Sequence, residues 1–185
     1  MGRWQPDARG RMFRAAMELF AERGFDETTA GDIAERAGVT ERTFFRHFSD
    51  KREVLFDGAA RLEQTVREAI LAAPEGCAAL DAALAGLRAA ADQLGERGEL
   101  AVHRSRIIAA HPSLQERELL KLAALTDTTS AALRERGVAE PEASLAAHSA
   151  VTVFHVTFVR WVSEQATGDI DACFTETAAA LRALA

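Results

Sequence analysis

Between Asp7 and Arg23 apolar side chains recur at Met12, Phe13, Ala16, Met17, Leu19 and Phe20, and the run stops at Gly24. That spacing is a broad apolar stripe on one helix. From Thr28 to Lys51 the pattern shortens to two brief helices around a tight turn: Thr29 is placed to cap the first, Gly38 to take positive φ, and Thr40 to cap the second. This is a helix-turn-helix, with Ala34 small where the helices cross and Val39, Phe44 and Phe48 on the core side. Ser49 is then expected to cap a fourth helix that opens at Asp50 or Lys51. It continues without a break through Val54, Leu55, Ala59, Leu62, Val66 and Ile70 to Pro74-Glu75-Gly76. Further helices are predicted over 77–94 and 99–110, from the capping box Ser113-Leu114-Gln115-Glu116 to Arg136-Gly137, from Pro141 to Gly168, and over about 171–184. The expected fold class is all-α, with about nine helices.

The second helix of the turn motif carries the chemistry. At about 100° per residue, Arg42, Thr43, Arg46 and His47 fall within an arc of about 140°, with Phe44 and Phe48 opposite. Arginine can bridge guanine O6 and N7, and threonine can reach a base edge or a thymine methyl, so this is the face a recognition helix presents to a major groove. An isolated R-T-x-x-R-H would be an ordinary solvated face. The flanking caps and turn favour DNA.

Leu19-Phe20, Gly24-Phe25, Thr28-Thr29, Ile33-Ala34, Ala37-Gly38-Val39-Thr40, Thr43-Phe44-Phe45-Arg46-His47-Phe48 and Lys51 together resemble the N-terminal signature of the TetR family of bacterial transcriptional regulators. The resemblance covers roughly residues 8 to 56. It implies an all-helical homodimer with a helix-turn-helix DNA-binding domain over 1–56 and an effector-binding and dimerisation domain over 57–185. On that pattern the DNA-binding residues are Thr29, Thr40, Arg42, Thr43, Phe45, Arg46, His47 and Lys51. Arg42 and Thr43 would read bases; Thr40, His47 and Lys51 would hold the backbone; Arg46 fits either role. The family commonly has tyrosine where Phe45 stands, its hydroxyl bonding a phosphate, and glycine where Arg42 stands. Phe45 cannot make that bond, and Arg42 is a candidate for an added base contact.

Charge sharpens this division. The net charge is -6, yet residues 1 to 56 hold 10 Lys+Arg against 10 Asp+Glu, while residues 57 to 185 hold 12 against 18. The acidic remainder should repel DNA and leave contact to the N-terminal part, where Arg3, Arg9 and Arg11 either touch phosphates or belong to a disordered basic tail. Two cysteines, Cys77 and Cys173, without metal-ligand spacing point to a reducing cytoplasm. The start of the chain lacks the apolar segment of a secretion signal. From Ala143 to Val159 no charged residue occurs, but the run is too short for a bilayer and includes His148, Thr152, His155 and Thr157. It reads as a buried helix, and no membrane partner is expected.

Five histidines raise the question of metal or catalysis. His148 and His155 share a helical face but lie about 10.5 Å apart along the axis, too far for one zinc, and HExxH, GxSxG and paired-Cys motifs are missing. No cofactor and no catalytic residue is expected. The expected effector site, implied by the resemblance and fitted to bulky apolar walls with a few polar groups, comprises His103, Arg104, Ile107, Leu125, Phe154, Phe158 and Trp161. Arg104 or Arg106 would meet an anionic group on a mostly apolar ligand. The expected dimer seam takes Ala147, Val151, His155, Phe158 and Val162 from one helix and Phe174, Ala178 and Leu181 from the next. The expected function is a repressor released from a palindromic operator by such an effector. The alternative is a helical enzyme or ligand carrier whose N-terminal motif no longer binds DNA.

Overall fold

The structure, a computed structural model, describes residues 7–96 and 98–184. Arg3 lies outside them. The described residues form helices without strands, and the chain divides into two compact units after Asp57.

The first unit contains α1 (Ala8–Arg23), α2 (Ala30–Arg36), α3 (Glu41–His47) and a 3-10 turn over Glu53–Phe56. Met12, Ala16, Leu19 and Phe20 of α1 close over Ile33, Ala34, Phe44 and Phe48, all buried. Polar ties fix the same helices from outside. Arg36 on α2 forms a two-pronged pair with Glu22 on α1 at 2.8 and 2.9 Å and reaches Glu18 at 3.4 Å. Arg11 Nε donates to Ala37 O at 3.1 Å.

The expected continuous fourth helix is not there. Asp50, not Ser49, caps the segment: its carboxylate accepts from the amides of Arg52 and Glu53 at 2.8 and 3.2 Å. The turn it starts is 3-10 and ends at Phe56. Asp57 is extended and Gly58 takes φ +98, so α4 begins anew at Ala59. Only glycine adopts that backbone cheaply.

The second unit contains α4 (Ala59–Leu71), α5 (Ala79–Gly95), α6 (Gly98–Ala110), α7 (Pro112–Glu135), α8 (Glu142–Ser163) and α9 (Ile170–Arg182). α8 is its centre, touching α5, α6, α7 and α9, while α4 packs on α5 and α7. α8 is long and apolar enough to cross a membrane, but much of it is buried inside the bundle, as a core helix is. The α4–α5 approach is close: a Cβ on Gly86 would sit 2.7 Å from Ile70 Cγ1 and 3.0 Å from Val66 O. Arg136 closes the C-terminus of α4 by donating to the carbonyls of Ile70 and Leu71 at its end and of Ala73 and Pro74 in the turn that follows.

Two helix ends differ from expectation. α7 starts at Pro112 with His111 before it, so Ser113 and Glu116 are already inside the helix and form no capping box. α8 stops at Ser163, short of Gly168, because Gln165 and Ala166 turn at positive φ. Trp161 Nε1 donates across the turn to Gly168 O at 2.8 Å.

The side chains expected at the dimer seam differ in their burial within the single chain. Ala147, Val151, Val162, Phe174 and Ala178 all belong to the core of the single chain, and Phe158 and Leu181 are partly covered by the same core. His155 alone of the expected seam is exposed. The open face of α8 instead carries Leu145, His148, Thr152, His155, Val156 and Val159, with Leu145 at 65% and Val159 at 53% exposure.

Candidate functional site

The turn motif is built by local hydrogen bonds. Thr29 and Asp32 form a reciprocal capping box at the start of α2: Thr29 Oγ1 accepts from the Asp32 amide and Asp32 accepts from the Thr29 amide. The Thr29 hydroxyl, which donates to the Asp32 carboxylate at 2.7 Å, and the Thr29 amide, with Arg23 beyond, hold that carboxyl below its ordinary range. At the other end Gly38 takes φ +67, its amide donating to Glu35 O and that of Val39 to Ala34 O. Those two bonds are the Schellman closure, which needs a residue at positive φ. Thr40 then caps α3 by accepting from the Thr43 amide, and the two threonine hydroxyls lie 2.9 Å apart.

α3 therefore leaves the motif with a defined orientation. Phe44 and Phe48 are buried beneath it, in ring contact with each other. Arg42, Phe45 and Arg46 are exposed, and Thr43 and His47 are partly so. The structure thus brings Arg42, Thr43, Arg46 and His47 to one open surface. Phe45 stands beside them, 51% exposed and edge-on to Phe44. Thr29 and Thr40 have their hydroxyls engaged as caps.

Lys51, expected at phosphate, and Arg9 and Arg11, the two candidates for it, are engaged inside the unit. Arg9 pairs with Asp57 and stacks on the Phe48 ring at 5.2 Å. Arg11 holds Ala37 O. Lys51 Nζ donates to the carbonyls of Phe25, Asp26 and Thr28 at 2.8, 3.1 and 2.9 Å.

In the second unit, Ile107, Leu125, Phe154 and Trp161 are buried and Phe158 partly so, its ring 6.4 Å from that of Trp161. At about 100° per residue, Phe154, Thr157 and Trp161 share one face of α8 within about 60°. α6 meets that face at Gly98, where a Cβ would lie 3.5 Å from Trp161 Cζ2. Among the described residues, two buried side-chain polar atoms have no partner, His103 Nε2 on α6 and Thr157 Oγ1 on α8. Thr157 is conspicuous because Thr126, Thr129 and Thr177 all donate to the carbonyl one turn back. Sequence reasoning passed over Thr157, since no pattern says which helical threonine withholds that bond.

Arg104, expected to meet an anion, pairs with Glu118 at 3.2 Å. Burial pushes its guanidinium below its ordinary range and Glu118 pulls it back. Arg106 is exposed and donates to Gln165. His148 Nδ1 lies 2.9 Å from Ser144 O, and among the described residues no group of three His, Cys, Asp or Glu side chains comes together as a metal site.

Comparison with known proteins follows the same division. Residues 13–57 match the family model described as bacterial regulatory proteins, tetR family. The HTH-type transcriptional regulator TcmR of Streptomyces glaucescens is 36% identical over 92 residues, a stretch covering 50% of this chain and 40% of that protein's length. Over nearly the whole chain the fold is similar to that of Thermus thermophilus FadR, a TetR family transcriptional repressor solved in complex with lauroyl-CoA. That match has a TM-score of 0.57 and 29% identity, covering 94% of this chain and 92% of that one. The fatty acid degradation regulator FadR of Bacillus halodurans has the same fold, with a TM-score of 0.67 at 19% identity over 97% and 96% of the two chains.

Proposed function

We propose that this chain, which belongs to the TetR family of bacterial regulatory proteins, is a cytoplasmic repressor that binds a palindromic operator as a two-fold dimer and leaves it when a small, mostly apolar effector binds. The observation that carries the DNA-binding part is the doubly capped turn motif with Arg42, Thr43 and Arg46 on its open face and Phe44 and Phe48 beneath. Arg42 and Thr43 read base edges. Thr40 and His47 lie beside them toward the backbone, and Phe45 adds apolar contact where a tyrosine would bond phosphate. Thr29 lies at the start of α2.

The test is selection of bound duplexes from a random library by the purified chain, followed by binding isotherms on the selected site and on a scrambled one. A palindromic consensus with a large affinity ratio between the two is the expected result. Equal binding to both removes sequence-specific regulation.

For the effector, the supporting features are the apolar wall of Ile107, Leu125, Phe154, Phe158 and Trp161 and the unpartnered polar atoms of His103 and Thr157. Thermus thermophilus FadR was solved with lauroyl-CoA, and a long acyl chain is one ligand such a wall suits. Because Arg104 is compensated by Glu118, the polar part of the effector is better met as a neutral carbonyl or hydroxyl by Thr157 and His103 than as a carboxylate by Arg104. Operator release is the readout. By linkage, a ligand that weakens DNA binding tenfold itself binds the DNA-bound form tenfold less well, about 1.4 kcal/mol. The enzyme or carrier alternative predicts turnover or ligand binding without any effect of DNA, and the relatives named above are regulators.

A further inference from the structure

We infer that Lys51 is a positioning residue of DNA recognition: its ammonium fixes the turn that presents α2, and it is not a phosphate contact. This rests on the DNA-binding reading above. An ammonium has three N–H donors. Those of Lys51 meet three carbonyls, of Phe25, Asp26 and Thr28, all within 3.1 Å, and Nζ also lies 4.5 Å from the centroid of the Phe25 ring. A phosphate could be held only by giving up part of this cage.

The cage sits where it matters for the motif. Residues 25–28 connect α1 to α2, and Thr28 is fully buried with its hydroxyl donating to Gly24 O. The next residue is Thr29, the cap of α2. Lys51 itself lies just past α3, three residues beyond Phe48. One side chain therefore ties the exit of the recognition helix to the entry of its partner helix, and the angle between α2 and α3 is what sets how α3 enters a groove.

The surroundings agree. Backbone amides at the start of a helical turn could have shared a phosphate with Lys51, but those of Arg52 and Glu53 already donate to Asp50. The same carboxylate takes the Arg52 guanidinium at 2.8 Å. An arriving phosphate would meet a carboxylate there.

Shape separates the two roles. A compact ammonium can point three donors at three converging carbonyls, whereas a planar guanidinium, though equally charged and well suited to phosphate, cannot. Lys51→Met and Lys51→Arg in the full chain are therefore compared with wild type on a duplex that the wild type selects from a random library, over a range of salt, together with thermal melts. Both variants are expected to lose operator affinity and to melt at lower temperature. Both should keep the wild-type slope of log K against log salt, because no phosphate contact has been removed. Loss of a phosphate contact would instead flatten that slope by about 0.9. A flatter slope in Lys51→Met, or wild-type affinity and Tm in Lys51→Arg, overturns the inference while leaving DNA binding standing. If the wild-type chain selects no duplex, the DNA-binding reading fails and the inference falls with it.

Discussion

Arg42 and Phe45 stand on the same open side of α3 and differ in what they offer a groove. Arg42 brings a planar fork of donors, so Arg42→Ala is expected to cost about 1–3 kcal/mol on the selected site and much less on a scrambled duplex. Equal losses on the two would remove it from the base-reading set. Phe45 is half exposed, so a hydroxyl added at its ring tip meets solvent or DNA and not the core. Phe45→Tyr should tighten binding by about 0.5–1.5 kcal/mol, the net worth of one hydrogen bond, without changing the selected sequence. Thr157 poses the opposite case. Its buried hydroxyl has no partner, and an isosteric apolar replacement relieves that cost. Thr157→Val should therefore leave the ligand-free melting temperature unchanged or raised while weakening effector-driven release of operator. A lowered melting temperature would mean that the hydroxyl is satisfied in solution.

At the scale of elements, the turn motif was legible because each of its signals is local. Thr29 and Asp32, Ala34 and Val39, and Thr40 and Thr43 settle their bonds within a few residues of each other. What failed to read were competitions. Ser49 and Asp50 are both good caps, and the carboxylate next to two free amides won. Asp57-Gly58 is a turn signal that an uninterrupted apolar spacing concealed. α1 and α2 owe part of their fixed angle to the pair of Arg36 with Glu22, invisible in the sequence because 14 residues separate the partners. The hydrogen bond from Arg36 holds the Glu22 carboxyl below its ordinary range. A carboxyl lowered on folding contributes stability that is present above its unfolded pKa and lost as pH falls through its folded one. The difference in Tm between wild type and Arg36→Met should thus be present at neutral pH and shrink toward zero once the medium is more acidic than the carboxylate range. A difference that persists in acid would assign the stabilisation to packing of the arginine stem.

At the scale of the whole molecule, the seam expected from sequence and the face of α8 left open by the fold overlap only at His155. Between Ala143 and Val159 α8 carries no charged side chain and has apolar ones on its open as well as its buried side, so their spacing alone could not tell which apolar stripe met the bundle and which met something else. Within the single chain Val151 and Val162 are core, whereas Leu145, Val156 and Val159 are exposed at 65%, 41% and 53%. These three, with His148, Thr152 and His155, recur at spacings of three and four and form a stripe that another copy of α8 fits by helix pairing. A charge placed on the stripe would be buried against its mate, while the same charge in the core would break the protomer itself. Leu145→Glu combined with Val159→Glu is therefore expected to shift sedimentation from dimer to monomer at micromolar concentration. It should leave the far-ultraviolet helical signal intact and abolish tight binding to the full palindrome, while weak binding to a half-site persists. A double variant that still sediments as a dimer moves the seam off this face, and a wild-type chain that sediments as a monomer removes the dimer.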